Sequence, residues 1–426
     1  MVIRVYKRVV PFRTEWTPPA DKSISHRALF MGALVEGTSV IKNILDAGDV
    51  RSTFSVLRQL GVSIETYRNE TRIKGRGLYG FYPASDILDV GNSGTTLRLL
   101  TAILSAQSFN SMITGDASLQ RRPMKVLVEA LRARGGNVKG EGKAEEAPIM
   151  IEKPNHPFSE LHFESPLPSA QYKSAVLLSG LFSEASTYVR EVVSTRDHTE
   201  QILLQAGAEV TLQNKVIQLI PHSLKPISLM VPGDLSSAAF LITLALLIPH
   251  SHLVVKSVGL NPTRTGFLEI IHKMGAEYSS EYIIQNSEPM GHLEIKSSSL
   301  KGITIDQPLA VRAIDELPLV VLLATQAEGI THISGVEMLR RKETDRIKVV
   351  AQELRKMKAH IEETPDGWRI EGPSELKGTY VNSFGDHRMA MMLYIAGLLA
   401  EGETGVQGME FADISFPGFL NAVNLN

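Results

Sequence analysis

Six apolar stretches, residues 23–35, 94–106, 169–182, 236–248, 315–327 and 386–400, begin about 67 to 80 residues apart along the chain. Each is apolar nearly all round, so each is expected to be a helix buried on every side, not one lying on a surface. A short β-like run follows, as at 39–44, 187–193 and 252–256, and then an amphipathic helix. That second helix ends in a recurring punctuation: Leu60-Gly61-Val62, Arg134-Gly135-Gly136, Ala206-Gly207-Ala208, Met274-Gly275-Ala276 and, with lysine in place of glycine, Met357-Lys358-Ala359. Alternating runs at 137–139, 208–212 and 368–370 read as hairpin strands, with Thr364-Pro365-Asp366-Gly367 as a turn. The repeating unit is therefore β-α-β-α-β-β. In the sixth copy only residues 416–421 follow the strand, and segment 2–10 is expected to supply the missing hairpin strand. An α/β (α+β) fold of two domains follows, residues 21–232 holding three units, and 1–20 with 233–426 holding the other three.

Lys plus Arg (44) nearly balances Asp plus Glu (46), leaving a net charge of -2 and no global reason to expect nucleic-acid or membrane binding. Any anion site must be local. With no cysteine, the chain has no disulfide, thiolate metal site or cysteine nucleophile. The basic start lacks the apolar core of a signal peptide. The longest apolar stretch, 238–248, stops at Pro249 and is too short to span a bilayer. A soluble cytoplasmic protein is expected, by default a monomer. Neither a Walker A sequence nor a G-x-G-x-x-G follows a strand, so nucleotide readings lose their usual support.

Polar sequences open the buried helices: Asp21-Lys22-Ser23, Gly91-Asn92-Ser93-Gly94, Ser169-Ala170-Gln171, Pro232-Gly233-Asp234, Asp315-Glu316 and Gly385-Asp386-His387-Arg388. Helix N-termini carry free N–H groups and the positive dipole end, so six of them facing one site would hold an anionic small molecule without a metal. Capping alone also explains Ser, Asp and Asn there. It does not explain Lys22, Arg27, Lys173 and Arg388, cations at helix starts where the dipole disfavours them, and a bound anion accounts for these better. Lys342, Glu343 and Arg346 have helical spacing and fit an exposed intrahelical ion-pair row equally well. The histidines His26, His198 and His387 read as scaffold, without metal-ligand pairing.

Taken in order, DKSISHR from Asp21, GNSGTTLR from Gly91, GDASLQRRPM from Gly115, SAQYKSA from Ser169, TRDHTE from Thr195, RRKETDR from Arg340 and GDHRMAM from Gly385 resemble the enolpyruvylshikimate-phosphate synthase family throughout the chain. GDASLQRRPM and TRDHTE look more like the branch associated with glyphosate tolerance. The resemblance implies an inside-out α/β barrel type of domain and an active site in the interdomain cleft. It also implies transfer of the enolpyruvyl group from phosphoenolpyruvate to the 5-hydroxyl of shikimate 3-phosphate, in aromatic amino acid biosynthesis, with release of phosphate and no cofactor. By motif, Lys22, Ser23, Arg27, Ser169, Ala170, Gln171, Arg196, Asp315 and Lys342 would line the shikimate 3-phosphate site. Lys22, Gly94, Arg122, Gln171, Arg346 and Arg388 would meet phosphoenolpyruvate. Asp315 would be the base, Glu343 would exchange the methylene proton, and Lys22 is the third proton-transfer candidate.

Three positions depart from the family pattern. Ala20 replaces a glycine, Ala170 stands where serine is frequent, and Ile414 stands where many members carry a phosphoenolpyruvate-binding lysine. The related UDP-N-acetylglucosamine enolpyruvyl transferases mostly use an active-site cysteine, which this chain lacks. A non-catalytic anion sensor would not require Asp315 and Glu343 beside anionic ligands.

Overall fold

A computed structural model describes every residue except 9, 285–287, 425 and 426. The chain divides into two compact units, Ala20–Val231 and Met1–Pro19 with Pro232–Asn426. Each has its own apolar core.

In Ala20–Val231 the three core helices are Lys22–Leu34, Gly94–Leu104 and Ala170–Gly180, capped by the side chains of Asp21, Ser93 and Ser169. In the other unit they are Leu235–Leu247, Leu317–Ala324 and His387–Leu399. Hardly a side chain on them reaches solvent beyond the first turn, because three sheets wrap each set. The sheets turn residues such as Ile41, Ile73, Ile113, Val189 and Leu219 inward, each completely buried. A fully buried Leu, Ile or Phe contributes about 1.5–3 kcal/mol. All-round apolarity is thus what a helix at the centre of three sheets requires.

Each sheet has one plan. In the second, Leu88–Asp89 runs parallel to Ser111–Thr114, which pairs antiparallel with Glu146–Glu152, and Asn137–Glu141 closes the hairpin. The third and fifth repeat this order. The first and fourth do so with a strand from elsewhere in the chain. Ser228–Met230, not the strand before the first core helix, runs parallel to Glu36–Lys42, while Arg13–Trp16 runs parallel to His252–Gly259. Val2–Tyr6 pairs antiparallel with Glu403–Gln407 in the sixth sheet, which has three strands. Val9, within the segment expected there, lies outside the described residues.

The punctuation after the second helices has one cause. Gly207 adopts φ +88° and Lys358, its counterpart, φ +72°, the left-handed conformation that ends a helix and that lysine tolerates at some cost. Strands His360–Thr364 and Gly367–Gly372 meet at the expected Pro-Asp turn. The fifth core helix departs from expectation. A short helix, Gln307–Arg312, precedes it, and the core helix starts at Leu317, so Asp315 sits in the turn between the two and does not cap. Among the described residues no helix is long and apolar enough to cross a membrane.

Candidate active site

In Ala20–Val231, hydrogen bonds tie together the N-terminal turns of all three core helices. His26 Nδ1 lies 2.7 Å from Thr53 Oγ1, which lies 2.7 Å from Thr96 Oγ1, which lies 2.7 Å from the capping Ser93 Oγ. Arg98 donates to Gln171 Oε1 at 2.9 Å, and Gln171 Nε2 donates to Thr95 Oγ1 at 3.0 Å. Arg27 donates through Nε to Thr199 Oγ1 and through Nη2 to Ser174 Oγ. Three helix N-termini therefore open on one end of this unit, and with them Lys22, Ser23, Gly94, Ser169, Ala170 and Gln171.

For Lys173, the expectation that a cation at a helix start signals a bound anion needs correction. Lys173 is only 1% exposed, and its ammonium lies 3.1 Å from Glu191 and 2.7 Å from Glu200. The protein supplies the anions itself. Lys22 pairs with Asp49 at 2.9 Å, across to the helix Gly48–Gln59. Arg27 stands one turn further in than the first and is committed to internal acceptors, including Ser23 O at 2.9 Å.

Gly94 opens the second core helix beneath two guanidinium groups. A Cβ there would stand 2.9 Å from Arg122 Nη1 and 2.9 Å from Arg98 Nη1. Arg122 also donates to Asn92 Oδ1 at 2.7 Å. Arg196 is half-buried in the loop 192–197. Arg98 and Asp49 went unrecognised in the sequence. Arg98 had a signal in its one-turn spacing from Gly94, whereas Asp49 reads as an ordinary first-turn acid.

In the other unit, Asp315, Lys342, Glu343, Arg346 and Arg388 come together. Asp315 Oδ1 has three cations near it: Arg346 Nη1 at 3.7 Å, Arg388 Nε at 3.8 Å and Lys342 Nζ at 3.9 Å. Arg346 is 1% exposed and pairs with Glu343 at 2.7 Å and with Asp386 at 2.8 Å. Its Nη1 has no hydrogen-bond partner. This is not an exposed ion-pair row. The helix begins only at Arg346, so Lys342 and Glu343 lie on the loop before it. Burial by itself would lower the Arg346 pKa, but Asp386, Glu343 and Asp315 outweigh it and hold the group charged. Burial likewise pushes the Asp386 carboxyl up, and Arg346 overcomes this, leaving it below the usual carboxylate range. Asp386 also caps the sixth core helix by accepting from Arg388 N and Met389 N. Arg264 donates to Glu316 at 2.9 Å and to Asp234 at 3.3 Å, joining the starts of the fourth and fifth. Ile414 ends the turn Met409–Ile414 and is half-buried. Among the described residues no cluster of His, Asp and Glu is arranged to hold a metal.

Two features thus stand out: paired guanidinium groups over a glycine at a helix start, and a carboxylate ringed by cations. Both can hold phosphate and carboxylate oxygens. Residues 7–423 match the family described as EPSP synthase (3-phosphoshikimate 1-carboxyvinyltransferase). The 3-phosphoshikimate 1-carboxyvinyltransferase of Bacillus thuringiensis subsp. konkukian is 45% identical over 406 residues, 95% of this chain and 94% of that relative. The solved structure of EPSP synthase from Acinetobacter baumannii superposes with a TM-score of 0.87 at 38% identity, covering 99% of this chain and 97% of that one. The enolpyruvyl transferase NikO from Streptomyces tendae, at TM-score 0.75 and 16% identity, shares the fold. The chain belongs to the EPSP synthase family.

Proposed function

We propose that the protein transfers the enolpyruvyl group of phosphoenolpyruvate to the 5-hydroxyl of shikimate 3-phosphate and releases phosphate, with residues of both units acting on one pair of ligands. Family membership supports the reaction. The observation that carries the site is Asp315 with three cations within 4 Å. In this reading Lys22, Ser23, Arg27, Ser169, Ala170, Gln171, Arg196, Asp315 and Lys342 hold shikimate 3-phosphate. Lys22, Gly94, Arg122, Gln171, Arg346 and Arg388 hold phosphoenolpyruvate.

Asp315 takes the 5-hydroxyl proton, the oxygen attacks C2 of phosphoenolpyruvate, and an acid protonates the methylene carbon, giving a tetrahedral adduct. Loss of a proton from the new methyl group to the protein, as the C2–O bond to phosphate breaks and phosphate departs, forms the enol ether. Glu343 is assigned to the methylene proton and Lys22 is the further proton-transfer group. Arg346, Arg388 and Arg122 stabilise the charge that gathers on phosphate and carboxylate. The test is phosphate release from phosphoenolpyruvate in the presence of shikimate 3-phosphate and, separately, of UDP-N-acetylglucosamine. Release with the shikimate ester alone is expected, and release only with the UDP-sugar would overturn the reading.

A further inference from the structure

Lys173 is the fourth residue after the cap of the third core helix, two beyond Gln171. Its ammonium does not face solvent. It donates to Glu191 at the end of strand Thr187–Glu191, to Glu200 in the first turn of the helix His198–Gln205, and to the carbonyl of Thr195 at 3.3 Å. Those three acceptors are the two stems and an interior residue of the loop 192–197. Glu191 in turn accepts from Thr195 N at 3.2 Å and from the Thr195 hydroxyl. A second tie runs alongside, where Thr199 accepts from Arg27 at 2.7 Å and lies 2.7 Å from Ser174 Oγ. The residue next to Thr195 is Arg196.

We infer that Lys173 is a positioning residue for shikimate 3-phosphate: its ammonium pins the loop carrying Arg196 to the helix start carrying Ser169 and Gln171, setting the spacing between the two parts of that substrate's site. The inference rests on the placing of Arg196 at this substrate under the proposed function. Burial by itself would lower the Lys173 pKa, but Glu200 and Glu191 outweigh it, so the pin stays charged. Two carboxylates for one ammonium is more charge than the pair needs. Glu200 Oε2 has no hydrogen-bond partner, and burial pushes the Glu200 carboxyl up against the pull of Lys173. Simple stabilisation would be served by a single partner. The second carboxylate gives the loop two anchored stems. The loop that the pin holds carries Arg196, which the proposed function assigns to shikimate 3-phosphate and not to phosphoenolpyruvate, so the effect should fall mainly on the former.

The test compares Lys173→Met, Arg196→Ala and the double variant of the full chain by KM for each substrate and kcat. Lys173→Met should raise KM for shikimate 3-phosphate roughly tenfold while KM for phosphoenolpyruvate and kcat stay within about twofold, and it should add little in the Arg196→Ala background. A parallel rise of both KM values, or full additivity with Arg196→Ala, would overturn the inference and leave Lys173 a stabilising residue. An impaired Arg196→Ala beside an unimpaired Lys173→Met would overturn the inference alone. An Arg196→Ala variant with unchanged KM for shikimate 3-phosphate would overturn the site reading and the inference with it. Should Lys173→Met fail to fold, Glu200→Gln keeps an acceptor for the ammonium and removes one charge. A smaller rise confined to shikimate 3-phosphate supports the pin, and no selective rise overturns it.

Discussion

The helix starts of the two units are furnished with different chemistry. In Ala20–Val231 the links between the core helices run through hydroxyls, an amide and a neutral imidazole, with Arg98 and Arg27 donating to neutral oxygens: His26, Thr53, Thr96 and Ser93 in one chain, Arg98, Gln171 and Thr95 in another, and Arg27 with Ser174 in a third, while the ion pairs of Lys173 lie on the adjoining loop. In the other unit the links are guanidinium–carboxylate pairs, Arg264 with Asp234 and Glu316, and Arg346 with Asp386 and Glu343. A neutral hydrogen bond contributes about 1 kcal/mol net and can be exchanged for a ligand's. A buried charge cannot be left without its partner except at several times that cost. The first unit is thus suited to holding a polyol phosphate through replaceable contacts. The second holds Asp386 ionised beside Arg346 and, under the proposed function, would set Asp315 and Glu343 among cations next to the substrates.

The largest effect should come from the charged side. Asp315→Asn removes the proposed base and should lower kcat by about 10²–10⁴-fold with little change in KM for phosphoenolpyruvate. Near-native turnover would remove Asp315 from the chemistry. Arg346→Met strands Asp386, which is completely buried. It should destabilise Pro232–Asn426 by about 3–5 kcal/mol in urea unfolding. A cost near 1 kcal/mol would mean the two units do not differ as described.

The neutral side should answer to pH. Burial lowers the His26 pKa from 6.5 to about 3, so it stays uncharged in the folded protein at moderate acidity while the unfolded chain takes up a proton. The unfolded state then binds more protons between about pH 6.5 and 3, and stability must fall as pH falls through that window. Between pH 6.5 and 4.5 the loss from this residue should be about 2–3 kcal/mol, and His26→Asn should remove that share of the acid sensitivity in thermal melts. Identical pH profiles for parent and variant would show that the imidazole titrates in the fold as it does in the unfolded chain.

The smallest effect concerns glyphosate, the inhibitor of this family. Gly94→Ala puts a methyl group against the tips of Arg122 and Arg98, flexible groups that can move aside. The ligand held by those tips should weaken by roughly 1–3 kcal/mol. The inhibition constant for glyphosate, longer than phosphoenolpyruvate, is expected to rise more than KM for the substrate. Equal changes would mean the inhibitor's extra length lies away from this helix start.

Periodicity made much of the fold legible, because a helix apolar on every face has only one kind of place to go, and six ordered copies demand six sheets. The glycines after the second helices, and Lys358 standing in for one, were readable for the same local reason: a left-handed residue ends a helix whatever surrounds it. The motifs, by resemblance, named the family and the residues at the helix starts. Partners were not legible. Lys173 looked like an anion-binding cation because only the fold brings Glu191 and Glu200, 18 and 27 positions away in the sequence, to its ammonium. Strand exchange was hidden too, since Ser228–Met230 and Arg13–Trp16 each have local patterns that fit either of two sheets. Local sequence sets what each segment can bury and how it ends. Which charge meets which, and so whether a lysine binds substrate or pins a loop, depends on contacts across long sequence separations, which only the packed tertiary structure decides.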